Sequence, residues 1–322
     1  MSRPGSVLKR HIFNGPMNGP NLLITGGVHG DEFEPIAAIC RLVDIFKAKS
    51  TEGAEFAGKV TFVPVVNEAA FLRGHRCADD GLDLARTCPG KADGTITERT
   101  ADRLSRLIRE SDYYVDLHTG GTELSVYPLA GYMLHKDPDV LDRQRRMARA
   151  FNLPVVWGTS AEHDGRSLSV ARDAGVPAIY CEYLGSATCS ADGVTAYIEG
   201  CLNVMLELGI LNGESPSSRI EHTVEDARPA SGHLQICHPS PVDGYFEPSV
   251  ALGDCVEKGA AIGTVFDIKH GQQHVINADH DGIVTVLRTF PRVRSGESVG
   301  VVLELLAGES TQMNRTLENP VR

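Results

Sequence analysis

For about its first 212 residues the chain alternates short apolar runs with longer amphipathic stretches, and beyond them it stops doing so. Strand-like runs fall at 21–25, 60–66, 113–118, 154–157 and 177–182, and helix-like stretches at 34–48, 98–110, 138–151, 166–174 and 193–210. Strands alternating with helices bury their faces as a layered α/β domain around a parallel or mixed sheet. One segment, 67–97, fits neither period. It is rich in glycine and charge, and a long irregular stretch in a compact domain is usually functional or disordered. A Gly/Ser/Pro-rich break at 209–218 ends the alternation. From 230 to 306, short β-like runs are punctuated by turn pairs such as Asp243-Gly244, Gly253-Asp254 and Asp281-Gly282, which predicts a small all-β unit. The expected organisation is an α/β unit over 1–218 and a β unit over 219–322, the last ten or so residues forming a loose tail.

The bulk numbers narrow the class. Hydrophobic residues make up 42% of the 322 and charged residues 23%, enough to build a core and solvate its surface. Net charge is −11 with no basic block, which argues against a nucleic-acid partner. No apolar run reaches the roughly 20 residues a membrane helix needs, so no membrane partner is expected. The N-terminal stretch MSRPGSVLKRHIFNG shows no apolar signal region. The eight cysteines form no C-x-x-C and no regular framework. Reduced thiols in a cytoplasmic protein are the expectation. Self-association is left open.

The stretch Asn21 to Glu34, NLLITGGVHGDEFE, carries the chemistry. An apolar strand ends at Gly26-Gly27, His29 and Glu32 follow, and a helix comes next. Residues just past a strand's carboxyl end sit where α/β folds bind ligands. Positions i and i+3 of a first helical turn share a face. An imidazole and a carboxylate converging on one point suit zinc. The spacing alone is weak: with 12 His and 42 acidic residues, chance gives about 1.6 H-x-x-[DE] matches in this length. The second match, His222 to Glu225, lies in a polar stretch and reads as surface. A catalytic zinc needs a third protein ligand. His118, closing YYVDLHTG, is the candidate. Asp116 lies on the same strand face and could hold a ligand imidazole by its other nitrogen, or merely cap a turn. Glu182 ends the apolar run Val176 to Cys181. Alone, such a strand-end carboxylate is more often an ordinary charge than an acid/base.

Taken in order, H-x-x-E after a Gly-Gly turn, D-L-x-R-x-x-P-G, D-L-H-T-G and a strand-terminal Glu resemble the succinylglutamate desuccinylase/aspartoacylase family. The motifs cover about residues 20 to 185, and a C-terminal β domain fits the family as well. The resemblance implies a three-layer α/β/α, zinc-carboxypeptidase-like domain with a mixed sheet. It implies one zinc per chain on His29, Glu32 and His118, with Glu182 as general base and then general acid. Arg76 would steady the oxyanion and Arg86 would pair with the substrate carboxylate. The implied activity is an amidohydrolase that deacylates a small N-acyl amino acid. Two positions depart from the family pattern. Ala85 stands where an asparagine is usual, and Cys88 where an aromatic residue is usual. One substrate-clamping amide is therefore missing, which puts the N-acetylaspartate and succinylglutamate specificities in doubt.

Weaker candidates surround this set. His75 and Asp80 flank the Arg76 loop; His163, Asp164 and Arg166 sit in a turn that could line a pocket; Glu123 and Tyr127 follow His118; Asn67 is expected to fix its turn. Charges in loops are more often solvated than functional. Gly296-Glu297-Ser298-Val299-Gly300 matches a nucleophile pattern but lies between β runs, without the histidine that must follow, and reads as a hairpin turn. The β unit also resembles a lipoyl/biotinyl-type fold, with Lys269 near the modified position, but lacks a flanking Met; a structural role near the active-site mouth is expected. Two other readings stay open: a zinc carboxypeptidase acting on peptides, and a non-catalytic metal-binding protein of the same fold. Manganese, iron or cobalt could take the same ligands.

Overall fold

The computed structural model describes residues 8–52, 56–229, 231–234 and 237–305, so the expected C-terminal tail lies outside the described residues. The elements are β1 (His11–Asn14), β2 (Met17–Thr25), α1 (Phe33–Glu52), β3 (Ala57–Val63), α2 (Glu68–Arg73), α3 (Ile96–Arg109), β4 (Tyr113–His118), β5 (Leu124–Met133), α4 (Pro138–Phe151), β6 (Val155–Thr159), α5 (Ser167–Ala174), β7 (Ala178–Gly185), α6 (Ala191–Glu207) and β8 (His222–Glu225). The β-rich remainder holds β9 (Gly244–Pro248), β10 (Cys255–Val256), β11 (Ala261–Asp267), β12 (Gln273–Asn277), β13 (Gly282–Arg288), β14 (Arg292–Val293) and β15 (Gly300–Glu304).

The α/β alternation is borne out. A mixed sheet runs β1-β3-β2-β4-β7-β5, and β6 and β8 continue it from β5. Helices α1, α4 and α6 cover one face through Ile39, Leu42, Phe46, Phe151 and Val204. Helices α3 and α5 cover the other through Leu104, Ile108, Leu168 and Ala171. A strand covered on both faces reads as a nearly continuous apolar run. That is why β4, buried from Tyr114 onward, stood out in the sequence. Thr95 and Glu98 close a reciprocal capping box that starts α3.

Four elements escaped the periodicity. Strand β5 contains Pro128 and Gly131, and its pairing with β7 slips between Val126 and Leu129. Proline cannot donate to a ladder and glycine weakens a strand, so its alternation is masked. Strand β1 and helix α2 are too short to show a period. The second H-x-x-E, expected as plain surface, is strand β8, parallel to β6, with Glu225 held by Arg145 and the Tyr132 hydroxyl.

The β-rich remainder forms a four-stranded sheet, β12-β11-β9-β14, and also joins the large sheet. Strand β13 pairs antiparallel with β5, Val286 opposite Val126. Val126, Leu129, Val155, Trp157 and Val224 share one buried cluster with Ile283, Val286, Val301 and Leu303. Lys269 lies in the turn between β11 and β12, within 3.6 Å of Asp243. No helix among the described residues is long and apolar enough to cross a membrane.

Candidate metal centre and its cavity

Three neighbouring parallel strands deliver the central residues to one edge of the sheet. Strand β2 pairs with β4, Thr25 opposite Asp116, and β4 pairs with β7, His118 opposite Glu182. Beyond Thr25 the chain turns through Gly27 in the left-handed region, φ +62°, which favours glycine. The turn brings His29 and Glu32 to the ends of β4 and β7. Donor atoms of His29, Glu32 and His118, all buried, lie within 4.8 Å of one another.

The two imidazoles approach Glu32 through the same atom. His29 Nδ1 is 2.6 Å from Glu32 Oε1, and His118 Nδ1 is 3.1 Å from Glu32 Oε2. Their far nitrogens are held from behind. His118 Nε2 is 3.1 Å from Asp116 Oδ2, and His29 Nε2 is 3.1 Å from Asp83 Oδ1. Asp116 is fully buried and accepts hydrogen bonds from the Thr25 and Ser167 hydroxyls. A carboxylate on the far nitrogen fixes tautomer and ring orientation, so each Nδ1 faces the shared point. Two imidazole nitrogens and a carboxylate with room for further donors suit zinc by their chemistry.

Charge follows the geometry. Burial pushes the His118 pKa down, but Asp116 and Glu32 outweigh it and hold it well above the ordinary histidine value. Burial and Arg76 lower His29, and Glu32 and Asp83 more than restore it. Burial raises Glu32, yet the two histidines bring it down to about 2. Glu182 is pushed the other way, to about 7, first by burial, with His118 opposing and Glu32 reinforcing. Its Oε2 is buried with no hydrogen-bond partner among the described residues.

Asp83 is the residue the sequence reading left without a role. It heads the Asp83-Leu84-Ala85-Arg86 motif, and its signal there is only that of a turn-capping aspartate; its Oδ1 does accept from the Ala85 amide at 2.9 Å. In the fold it also accepts from Arg76 Nε and Nη2, at 3.1 and 3.0 Å, through Oδ2. One carboxylate thus braces His29 and Arg76 together. Asp31 was missed as well: its Oδ2 accepts from the Thr122 amide and hydroxyl, each at 2.9 Å, tying the turn after His118 to the segment carrying Glu32.

A cavity of about 110 Å³ opens on the triad. Arg76, Arg86 and Glu182 line it together with Arg166 and Tyr180. Gly232 and Leu234, from beyond the 209–218 break, also line it. Burial brings Arg166 down to about 10, and the nearby Arg86 adds to the effect. Of the weaker candidates, only Arg166 reaches this wall. His163 is bonded to the Ser231 carbonyl. Asp164 pairs with Arg172, Glu123 with Arg288 and Arg292, and the Tyr127 hydroxyl with Glu221. Asp80 accepts from Thr97 and Leu82, shaping its loop, and His75 accepts from the Cys77 amide. Asn67 caps α2 by accepting from the Ala70 amide. Ser298 is buried and donates to the Cys237 carbonyl at 2.6 Å, so its hydroxyl is engaged in structure.

The profile of the succinylglutamate desuccinylase/aspartoacylase catalytic domain matches residues 18–208. The chain belongs to that family. The span includes every central residue from His29 to Glu182, so the resemblance drawn from the motifs is borne out. Family membership extends beyond the profile. The chain is 30% identical over 318 residues to an N-alpha-acetyl-L-2,4-diaminobutyric acid deacetylase of Halomonas elongata, covering 94% of this chain and 86% of that one. Among solved structures it resembles the product-bound ectoine utilization protein EutE (DoeB) from Ruegeria pomeroyi, with TM-score 0.82 and 29% identity over 92% of this chain and 88% of that one. It also resembles a succinylglutamate desuccinylase/aspartoacylase from Rhodobacter sphaeroides, with TM-score 0.80 and 27% identity over 92% and 89% of the two chains.

Proposed function

We propose that this family member is a zinc-dependent amidohydrolase that removes the acyl group from a small N-acyl amino acid. The observation that carries the reading is the convergence of His29, Glu32 and His118 on one point, on the same cavity as Glu182, whose Oε2 is buried and unpartnered among the described residues. His29, Glu32 and His118 would hold the ion, and Asp116 and Asp83 would orient the two imidazoles. When bound, the ion supplies a Lewis acid that activates water and polarises the scissile carbonyl. Glu182 takes the water proton and returns it to the departing amine; burial raises its pKa towards the range such a shuttle needs. Arg76, held by Asp83 through Nε and Nη2 and lining the cavity, would steady the charge that develops on the acyl oxygen. Arg86 and Arg166 on the same cavity supply the positive wall for the substrate carboxylate.

Residues 1–218 carry this chemistry, and 219–322 narrow the mouth, Gly232 and Leu234 forming part of the wall. The name of the Halomonas elongata relative points to an N-acetyl diamino acid as the first substrate to try. A cytoplasmic setting is part of the proposal and accords with eight cysteines, none in a disulfide.

The deciding experiment is amine release from a panel of N-acetyl, N-formyl and N-succinyl amino acids, N-acetyl-2,4-diaminobutyrate included, with a chelated control. Chelator-sensitive turnover of one member supports the deacylase reading. Silence across the panel, with zinc present at one per chain, refutes it in favour of peptides or a non-catalytic role. Arg86→Ala should weaken carboxylate-bearing substrates more than neutral analogues, and equal losses on both would remove Arg86 from the clamp.

A further inference from the structure

A buried hydroxyl on the cavity wall lacks the partner that burial demands, and a half-buried guanidinium stands near it. The Tyr180 hydroxyl is buried and has no hydrogen-bond partner among the described residues. The Arg166 guanidinium forms no hydrogen bond or ion pair with a described residue; only its backbone is bonded, the amide donating to Ser169 Oγ and the carbonyl accepting from Ser169 and Val170. The two lie close enough to influence each other electrostatically, and both line the cavity above the triad. A buried polar group left unpaired costs about 1–3 kcal/mol, so such groups in native proteins call for an explanation.

The phenol's place is built into the fold. Tyr180 pairs across the sheet with Gly131, and any Cβ at Gly131 would sit 2.3 Å from the ring and 2.6 Å from the hydroxyl oxygen. The absent side chain is the space the ring fills. Tyr180 and Glu182 lie two residues apart on β7 and so face the same side, roughly 7 Å apart along the strand. Tyr180 therefore shares the cavity wall with the proposed proton shuttle and lies within electrostatic reach of Arg166. A neutral phenol and a guanidinium are both donors, and what neither finds among the described residues is an acceptor. A carboxylate supplies one to each. Ala85, where the family usually has an asparagine, offers only a methyl group from its own wall.

We propose that Tyr180 is a specificity-determining residue: its hydroxyl donates to the substrate carboxylate alongside Arg166. This rests on the deacylase reading and deepens it. The test is Tyr180→Phe in the full-length, zinc-loaded protein, with KM, kcat and calorimetric Kd measured for the best-cleaved N-acetyl amino acid and for its primary amide. If none is cleaved, N-acetyl-2,4-diaminobutyrate and its amide serve as binding probes.

The expected result is a rise in KM and Kd of about tenfold or more for the acid, the size of a lost hydrogen bond to a charged group. The amide should show no comparable penalty, and kcat should stay within about twofold. Because the hydroxyl has no partner among the described residues, the melting temperature should not fall. An equal penalty on acid and amide, a loss confined to kcat, or a melting temperature lowered by several degrees would each overturn the proposal. If the wild type binds the acid without cleaving it and Tyr180→Phe weakens that binding selectively, the carboxylate role stands while the deacylase reading fails. If the wild type binds neither probe, both fall.

Discussion

Glu182 and Asp83 touch the same chemistry from opposite directions, and their variants should fail differently. Glu182 holds a carboxylate oxygen with no partner among the described residues on the cavity beside the triad, so replacing it with Gln would remove the proposed proton shuttle without touching a proposed metal ligand. Glu182→Gln should keep about one zinc per chain and lose roughly 10²–10⁴-fold in kcat, the usual worth of a positioned acid/base. Near-wild-type turnover with full metal content would remove it from the mechanism. Asp83 should act through others. It braces His29 Nε2 and two nitrogens of Arg76, so Asp83→Asn should cost about 10–100-fold in metal affinity, as loss of a carboxylate behind a ligand imidazole does. Competition against a chromogenic chelator measures this, and unchanged affinity would leave Asp83 only its capping role. The contrast also shows what was legible. His29, Glu32, His118 and Glu182 carry motif spacing and strand-end context that a one-dimensional reading can use. Asp83 looks like any aspartate opening a short turn, and Tyr180 like any aromatic in an apolar strand. Their roles exist only once Gly131 and the Arg76 loop have been folded against them.

Element ends, more than element interiors, place this site. The carboxyl ends of β2, β4 and β7 converge because the three strands are parallel neighbours, and all three were among the strands visible as apolar runs. Strand β5, interrupted by Pro128 and Gly131, was not visible, although it supplies the glycine against which Tyr180 rests. A second junction of elements carries a pH prediction. Glu34, in the first turn of α1, is fully buried, accepts from the Ser190 amide at 2.9 Å at the start of α6, and leaves Oε2 without a partner. Burial raises its pKa above the ordinary glutamate value, with the hydrogen bonds from Ser190 and Thr188 opposing. The folded state therefore keeps a proton that the unfolded chain releases near pH 4.3 or so. That difference favours folding below the ordinary glutamate pKa and is lost as pH rises through the raised one. Glu34→Gln removes the titration while keeping an acceptor for the Ser190 amide. The stability of wild type relative to Glu34→Gln, from urea midpoints, should fall as pH rises from the ordinary glutamate value of about 4 towards neutrality. A difference that stays flat over that window would show that Glu34 ionises alike in both states.

Composition announced two units in this molecule; the sheet joins them. The break at 209–218 and the turn-rich stretch after it were readable from the sequence. The seam was not, because cross-strand partners such as Val126 and Val286 are 160 residues apart and nothing local marks them as neighbours. With β13 continuing the large sheet and one apolar cluster spanning both regions, the two should unfold together. Trp157, the sole tryptophan, is 4% exposed within that cluster and so reports directly on the seam. In guanidinium titrations of the wild type, Trp157 fluorescence and far-ultraviolet circular dichroism should trace one coincident transition. Val286 is fully buried opposite Val126, so Val286→Asp places an unpaired carboxylate in the seam and should cost about 3 kcal/mol or more. In that variant the fluorescence transition should move to lower denaturant. Val126 and Leu124 line the catalytic cavity, so turnover should fall along the same curve as the fluorescence. If wild-type fluorescence changed well before the circular dichroism, the β-rich region would be peeling away by itself, and the shared strand pairing would contribute little to holding the catalytic edge in place.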